Sequence, residues 1–219
     1  HRQRGMHIDT STQSTTERNA GSMLDNLRRM PFFEDAYFHM RGHHLSLADS
    51  YLRSLENAYR QAPAMPEDEV LLGALSEMWM MAAYDLLHAW REQARVVLTH
   101  PGLSDQVSTA SVSVEISEQI AGSANLRKVI SRLRRDVRYG RKLRRYAVSV
   151  ERVYKGLREV RELLARNEVL RVHQPGAGPA HVRIDPANGS LVYALRTRHG
   201  TVRPISRVQI ADALASIHP

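Results

Sequence analysis

The chain of 219 residues has no cysteine, and aromatic side chains make up only 6% of it. The lack of cysteine excludes disulfide bonds, thiolate zinc sites and cysteine nucleophiles, and it fits a reducing compartment such as the cytoplasm. No apolar stretch free of charge approaches the roughly 20 residues that cross a bilayer. A glycine-rich phosphate loop and a serine nucleophile elbow are also missing. We therefore expect a cytoplasmic protein without a membrane span or cofactor. No sequence motif indicates a particular enzymatic reaction.

Positive charge, in contrast, is abundant in one segment. From Arg127 to Arg145, ten of nineteen residues are Arg or Lys and one, Asp136, is acidic, which gives this segment a net charge of +9. Because the whole chain carries +8, the rest of it is close to neutral. A concentrated positive charge attracts polyanions and steers their approach.

The same segment has a helical pattern. Apolar residues recur in steps of three and four from Leu126 to Leu164, which predicts one long helix or two that break near Gly140. Guanidinium groups opposite this stripe would bind phosphate through paired hydrogen bonds. Tyr139 and Tyr146 are expected to stack on unpaired bases, which slightly favours RNA. The predicted nucleic-acid-binding residues are Arg127, Arg134, Arg135, Arg138, Arg141, Lys142 and Arg145.

The periodicity along the chain predicts a mainly α protein. Its expected parts are a disordered tail at 1–21, an antiparallel helical bundle at 22–173, a linker at 174–180, and a small antiparallel β-meander with a terminal helix at 181–219. Residues 103–125 are interpreted as a loop or short helix.

Local signals predict where several elements begin and end. Ser46 has the character of an N-cap for a helix that ends before Pro63. Pro66 then opens a helix that runs to Leu98 and is apolar on nearly every face, which is typical of a buried central helix. Ser206 is expected to cap the terminal helix.

Arg–His pairs provide a second hypothesis. Arg95/His100 and Arg166/His173 each place an Arg a few residues before a His, and a third pair, Arg2/His7, lies in the predicted tail. The pair that begins Arg166-Asn167 resembles the motif of the HEPN superfamily of all-helical ribonucleases. This resemblance implies that paired motifs of two subunits cleave RNA without metal, with the two non-tail pairs as candidate catalytic residues.

Two groups of side chains are candidate metal ligands. His39 and His43 are four residues apart, a spacing that lets two histidines on one helix face share a zinc, although Gly42 is expected to interrupt that helix. Asp85 and His88 are three apart and are similar to half of a di-iron carboxylate site.

Three functions therefore remain open. The leading hypothesis is a nucleic-acid-binding protein that uses its Arg-rich helix face. The alternatives are a HEPN-like endoribonuclease and a scaffold or regulatory subunit that binds an acidic protein partner. We also expect the apolar helices to support a homodimer.

Overall fold

A computed structural model of the chain describes residues 23–61, 66–99, 124–173, 182–196 and 202–219. The predicted tail at 1–21, the predicted linker at 174–180 and most of the interval at 103–125 lie outside these ranges. The described part contains six helices: α1 (23–28), α2 (Ala36–Gln61), α3 (Pro66–Leu98), α4 (Ala124–Arg135), α5 (Val137–His173) and α6 (Arg207–Ala215). Together with a small sheet between α5 and α6, they confirm the predicted mainly α fold.

Helix α2 begins ten residues before the predicted N-cap at Ser46, so that prediction was wrong. Asp35 caps the helix instead: its Oδ1 accepts a hydrogen bond from the backbone N–H of Tyr37 at 2.9 Å. Gly42 does not interrupt α2. It is one of the buried residues of the helix, and tertiary contacts stabilise the helical conformation there. A Cβ at this position would lie 2.9 Å from Cε1 of Phe33, so glycine lets the turn before α2 approach the helix closely.

Helix α3 has the predicted bounds and packs between α2 and α5. Its indole groups tie it to neighbouring segments, since Trp79 donates to the carbonyl of Leu45 at 3.0 Å and Trp90 to that of Pro31 at 2.8 Å. The helix is long and apolar enough to pass a length-and-composition test for a membrane span, with 44% of the tested window buried inside the protein. It is not buried all round as expected, because Met78 is 67% exposed.

The sheet is a three-stranded antiparallel meander, as predicted. It consists of β1 (Val182–Ile184), β2 (Leu191–Arg196) and β3 (Val202–Ser206) in that order. Gly189 supports the turn between β1 and β2 with a φ of 70°, a conformation that favours glycine. Ser206 caps α6 in a reciprocal pair of hydrogen bonds with Gln209, which confirms the predicted N-cap.

The C-terminal unit continues the core of the bundle. Tyr193 of β2 and Leu214 of α6 are fully buried and belong to the same apolar cluster as the residues of α3 and α5. The first residue of α6, Arg207, enters this core with no exposed surface. Its guanidinium donates to both carboxylate oxygens of Glu56, at 2.8 and 2.6 Å, and to Asp49.

These groups form what we call the buried arginine cluster, defined as Asp49, Arg53, Glu56 and Arg207. Arg53 completes the set, because it contacts Asp49 at 2.9 Å. Burial acts to lower the pKa of Arg207, but its hydrogen bonds to Glu56 and the nearby carboxylate charges outweigh that effect and raise it. The cluster therefore fixes the position of α6 against α2, because separating the two helices' charges would leave buried groups without partners.

Candidate nucleic-acid interface

Helices α4 and α5 bury their apolar sides and expose their basic ones. On α4 the buried residues are Leu126, Val129, Ile130 and Leu133, and on α5 they continue through Leu143, Val150 and Leu157 in the predicted three-and-four steps. All ten basic residues between Arg127 and Arg145 are exposed. The packing of the apolar stripe thus directs the positive charge to the surface.

The two helices meet at a single residue, Asp136. Its backbone N–H donates to the carbonyl of Arg132 at 2.9 Å and ends α4, while its Oδ1 accepts from the N–H of Arg138 at 2.8 Å and begins α5. The break is therefore four residues before the predicted position at Gly140. Gly140 lies inside α5, where a Cβ would be 3.3 Å from Leu133 of α4, so it serves the close contact at the corner.

We call the seven predicted binding residues the basic ridge: Arg127, Arg134, Arg135, Arg138, Arg141, Lys142 and Arg145. The break at Asp136 divides them between two helices, so the ridge is not the face of one continuous helix. Within the described part of the chain, no carboxylate lies at ion-pair distance from any of the seven. Their charge is therefore not neutralised by the acidic side chains that the structure describes.

Tyr139 and Tyr146 do not have the predicted role in base stacking. They are 9% and 1% exposed, and the hydroxyl of Tyr146 donates to the carbonyl of Arg29 at 3.3 Å. Burial raises the pKa of both phenols. The guanidinium of Arg132 covers the Tyr139 ring, with Cζ 4.5 Å from its centroid. Both tyrosines therefore lie on the buried side of α5 and contribute to packing.

A concave site lies where α1, the turn before α2, and the α4–α5 corner meet. We call it the corner pocket, and its volume is about 330 Å³. It brings two arginines of the N-terminal segment, which the sequence had not indicated, next to the basic segment. The charged residues that line it are Arg28, Arg29, Glu34, Lys128, Arg132, Asp136, Arg138 and Lys142.

The turn that forms one side of the corner pocket is held by hydrogen bonds from two other helices, α3 and α4. Phe32 has a φ of 74°, a strained conformation for a bulky residue. The carbonyls of this turn accept two hydrogen bonds: that of Pro31 from the buried Trp90 at 2.8 Å, and that of Phe32 from the half-buried Asn125 at 3.5 Å. Because these contacts come from different helices, the conformation of the turn is fixed independently of any ligand.

One of the two acidic side chains of the corner pocket, Glu34, forms an ion pair with a basic residue that also lines the pocket. Lys128 forms an ion pair with Glu34, and this hydrogen bond and charge lower the pKa of the Glu34 carboxyl. Asp136 is occupied by the N–H of Arg138, as described above. The two carboxylates thus have partners already, and the pocket keeps an excess of positive groups.

The residues of the predicted ribonuclease motif are only partly described. Arg95 is exposed on α3 and pairs with Glu92 at 2.9 Å, whereas His100 lies outside the described residues. Arg166 and His173 are both within α5, of which His173 is the last residue. The side chains of this second pair lie outside the described part.

The candidate metal ligands are exposed. His39 and His43 lie one turn apart on α2, which Gly42 does not break. Asp85 and His88 lie on α3. Among the residues that the structure describes, no group of three or more His, Asp or Glu side chains is arranged to hold a metal ion.

His88 belongs instead to an aromatic cluster that sequence reasoning had missed. Its Nδ1 lies 3.3 Å from the hydroxyl of Tyr154, which in turn lies 2.9 Å from that of Tyr84. Arg161 donates to Tyr84 at 3.1 Å, and Arg91 covers the Tyr154 ring at 3.9 Å. The cluster joins α3 to α5 across residues about 70 positions apart in the chain, and no local spacing predicts it.

Comparison of the chain with models of known protein families, with curated protein sequences and with solved structures gave no match.

Proposed function

We propose that the protein binds nucleic acid through the basic ridge. The observation that carries the proposal is the exposure of all seven ridge residues, with no carboxylate at ion-pair distance in the described part of the chain. Like charges spaced three and four residues apart destabilise a helix slightly. An external polyanion would remove that repulsion, and it would gain charge-assisted hydrogen bonds to guanidinium groups.

The expected contacts are to phosphates rather than to bases. Tyr139 and Tyr146, the two side chains on which a preference for RNA depended, are buried and cannot stack on a base from the surface. The slight preference for RNA therefore loses its support, and we propose binding to the backbone of RNA and DNA alike. Binding of this kind depends steeply on salt, because each neutralised phosphate releases counterions.

The test compares two triple variants with the same change in net charge. The ridge variant replaces Arg134, Arg138 and Arg141 by Glu, and the control replaces Arg152, Lys155 and Arg158, which are exposed further along α5. Affinity for single-stranded RNA and duplex DNA is measured by fluorescence anisotropy over a range of salt concentrations. We expect the ridge variant to bind weakly, with a salt slope reduced by about three, and the control to retain binding.

Other outcomes separate the alternative functions. Equal affinity of the ridge variant, the control and the parent protein would contradict the proposal. RNA cleavage in EDTA that stops when His100 or His173 is changed to Ala would favour the HEPN-like ribonuclease. Absence of binding and cleavage, with an acidic protein captured by the ridge, would favour the scaffold.

A further inference from the structure

The corner pocket differs in shape from the rest of the basic surface. The ridge is exposed along two helices, whereas the pocket is concave and is lined by cations from two separate parts of the chain. Arg28 and Arg29 come from α1 and the turn after it, and the other four from the α4–α5 corner. At about 330 Å³ it lies at the small end of the range of ligand pockets, so it admits one nucleotide-sized group and not a duplex.

The positive charge of the basic side chains in the corner pocket exceeds the negative charge of its acidic side chains. Six basic and two acidic side chains line it, so the basic groups outnumber the acids by four. Glu34 is already paired with Lys128, and Asp136 accepts the backbone N–H of Arg138 but keeps its negative charge. Within the described residues, no carboxylate is at ion-pair distance from Arg28, Arg29 or Arg132. A ligand that carries more than one negative charge suits such a site better than a single phosphodiester does.

A phosphate monoester is such a ligand, since phosphate attached to one group carries about −1.5 to −2 at pH 7, with a second pKa of about 6. In a nucleic acid this group occurs only at the end of a strand. We propose that the corner pocket binds the terminal phosphate monoester of a single nucleic-acid strand, while the adjoining ridge contacts the phosphodiesters that follow. The inference rests on the proposed function and adds a preference for strand ends to it.

The fixed geometry of the pocket supports this assignment. The strained φ of Phe32 is maintained by hydrogen bonds from Trp90 and Asn125, so this wall is already in place before a ligand arrives. The carbonyl of Arg29 is likewise held by Tyr146. Binding to a preformed site avoids the entropic cost of ordering the loop, which is how a small pocket gains affinity for a small group.

The experiment uses one short single-stranded RNA in three forms: with a 5′-phosphate, with a 3′-phosphate, and with hydroxyl groups at both ends. Affinities for the full chain are measured at fixed salt. We expect one terminal phosphate to tighten binding about tenfold, the effect of one charge-assisted contact. Changing Arg29 and Arg132 together to Gln should abolish this gain and leave the affinity for the hydroxyl form within about twofold.

A matched variant separates the pocket from the ridge. Arg141→Gln with Arg145→Gln removes two exposed charges outside the pocket, so it should weaken binding of all three RNAs and preserve the gain from the terminal phosphate. A second readout needs no variant. The gain should decline as the pH falls below about 6, because the monoester then takes up a proton and loses one charge.

Equal affinity for the three RNAs would overturn the inference and leave the proposed function standing, provided that binding weakens with salt. A gain that persists unchanged in the Arg29/Arg132 variant, or at pH well below 6, would also overturn it. If none of the RNAs binds, the proposed function fails as well.

Discussion

The basic ridge and the buried arginine cluster use the same side chain in opposite ways. Arg207 has no exposed surface, and its guanidinium donates to two carboxylates. Arg141 on the ridge is exposed, with no carboxylate at ion-pair distance in the described part of the chain. Burial makes an unmatched charge costly, whereas water tolerates one at the surface. The charge of the cluster therefore serves the fold, and that of the ridge is available to a ligand.

The largest expected effect comes from removing the buried guanidinium. Arg207→Met would leave Asp49 and Glu56 enclosed without a full set of partners, and we expect the free energy of unfolding to fall by about 3–5 kcal/mol. Urea denaturation measures this change. Arg203→Met is the matched control, because the Arg203–Glu159 pair is partly exposed to water and its loss should cost less than about 1 kcal/mol. Equal losses in the two variants would remove the distinction between buried and exposed arginines.

A smaller effect is expected at the glycine that packs against the cluster. Gly189 has a φ of 70°, and a Cβ there would lie 2.1 Å from the carbonyl oxygen of Glu56. Gly189→Ala should cost roughly 1–2 kcal/mol for the backbone conformation alone, with the clash in addition.

The control for that prediction is Gly73→Ala, in the interior of α3, where the nearest atom to an added Cβ is 3.9 Å away. This change should raise stability by up to about 1 kcal/mol, because alanine is the better helix former. Thermal and urea unfolding of both variants would check that stability falls in Gly189→Ala and rises in Gly73→Ala. A neutral Gly189→Ala would show that the meander is not pressed against α2.

The smallest expected effect on stability is at the ridge. Arg141→Gln removes repulsion from Arg138 and Arg145, which lie three and four residues away on α5, so unfolding free energy should change by less than about 0.5 kcal/mol, toward greater stability. The same variant should bind polynucleotides more weakly. Urea denaturation and anisotropy on one sample would measure both. A clear loss of stability would mean that this arginine, like Arg207, serves the fold.

The sequence predicted α3 better than α2, for a physical reason. Pro66 and the three acids after it provide a strong local start signal, and the helix begins there. For α2, the N-cap character of Ser46 and the helix-breaking tendency of Gly42 were misleading, because the contact with Phe33 that favours glycine comes from tertiary packing. Local propensity is a weak predictor where a residue is chosen for the space around it.

The basic ridge could be predicted from the sequence, whereas the buried arginine cluster and the corner pocket could not. Exposure of the ridge follows from one periodic pattern on neighbouring helices. The contacts of Arg207 join residues 151 and 158 positions apart, and the corner pocket joins α1 to α4. One signal for the cluster was present in the sequence: Asp49 and Glu56 fall in register with Leu45 and Leu52 on the buried face of α2. Acidic residues within an apolar stripe indicate a buried cation.

The positions of the two tryptophans allow intrinsic fluorescence to report on two separate parts of the molecule. Trp90 donates its indole N–H to Pro31 beneath the corner pocket, and Trp79 lies under Arg207, with the guanidinium carbon 5.3 Å from its ring. They are the only tryptophans in the chain, so changing either one to Phe leaves a single tryptophan in a known place, whose emission is observed by excitation beyond the tyrosine absorption. A ligand that enters the corner should alter the fluorescence of Trp90 and leave that of Trp79 unchanged. Loosening of the C-terminal unit should alter the fluorescence of Trp79 and leave that of Trp90 unchanged.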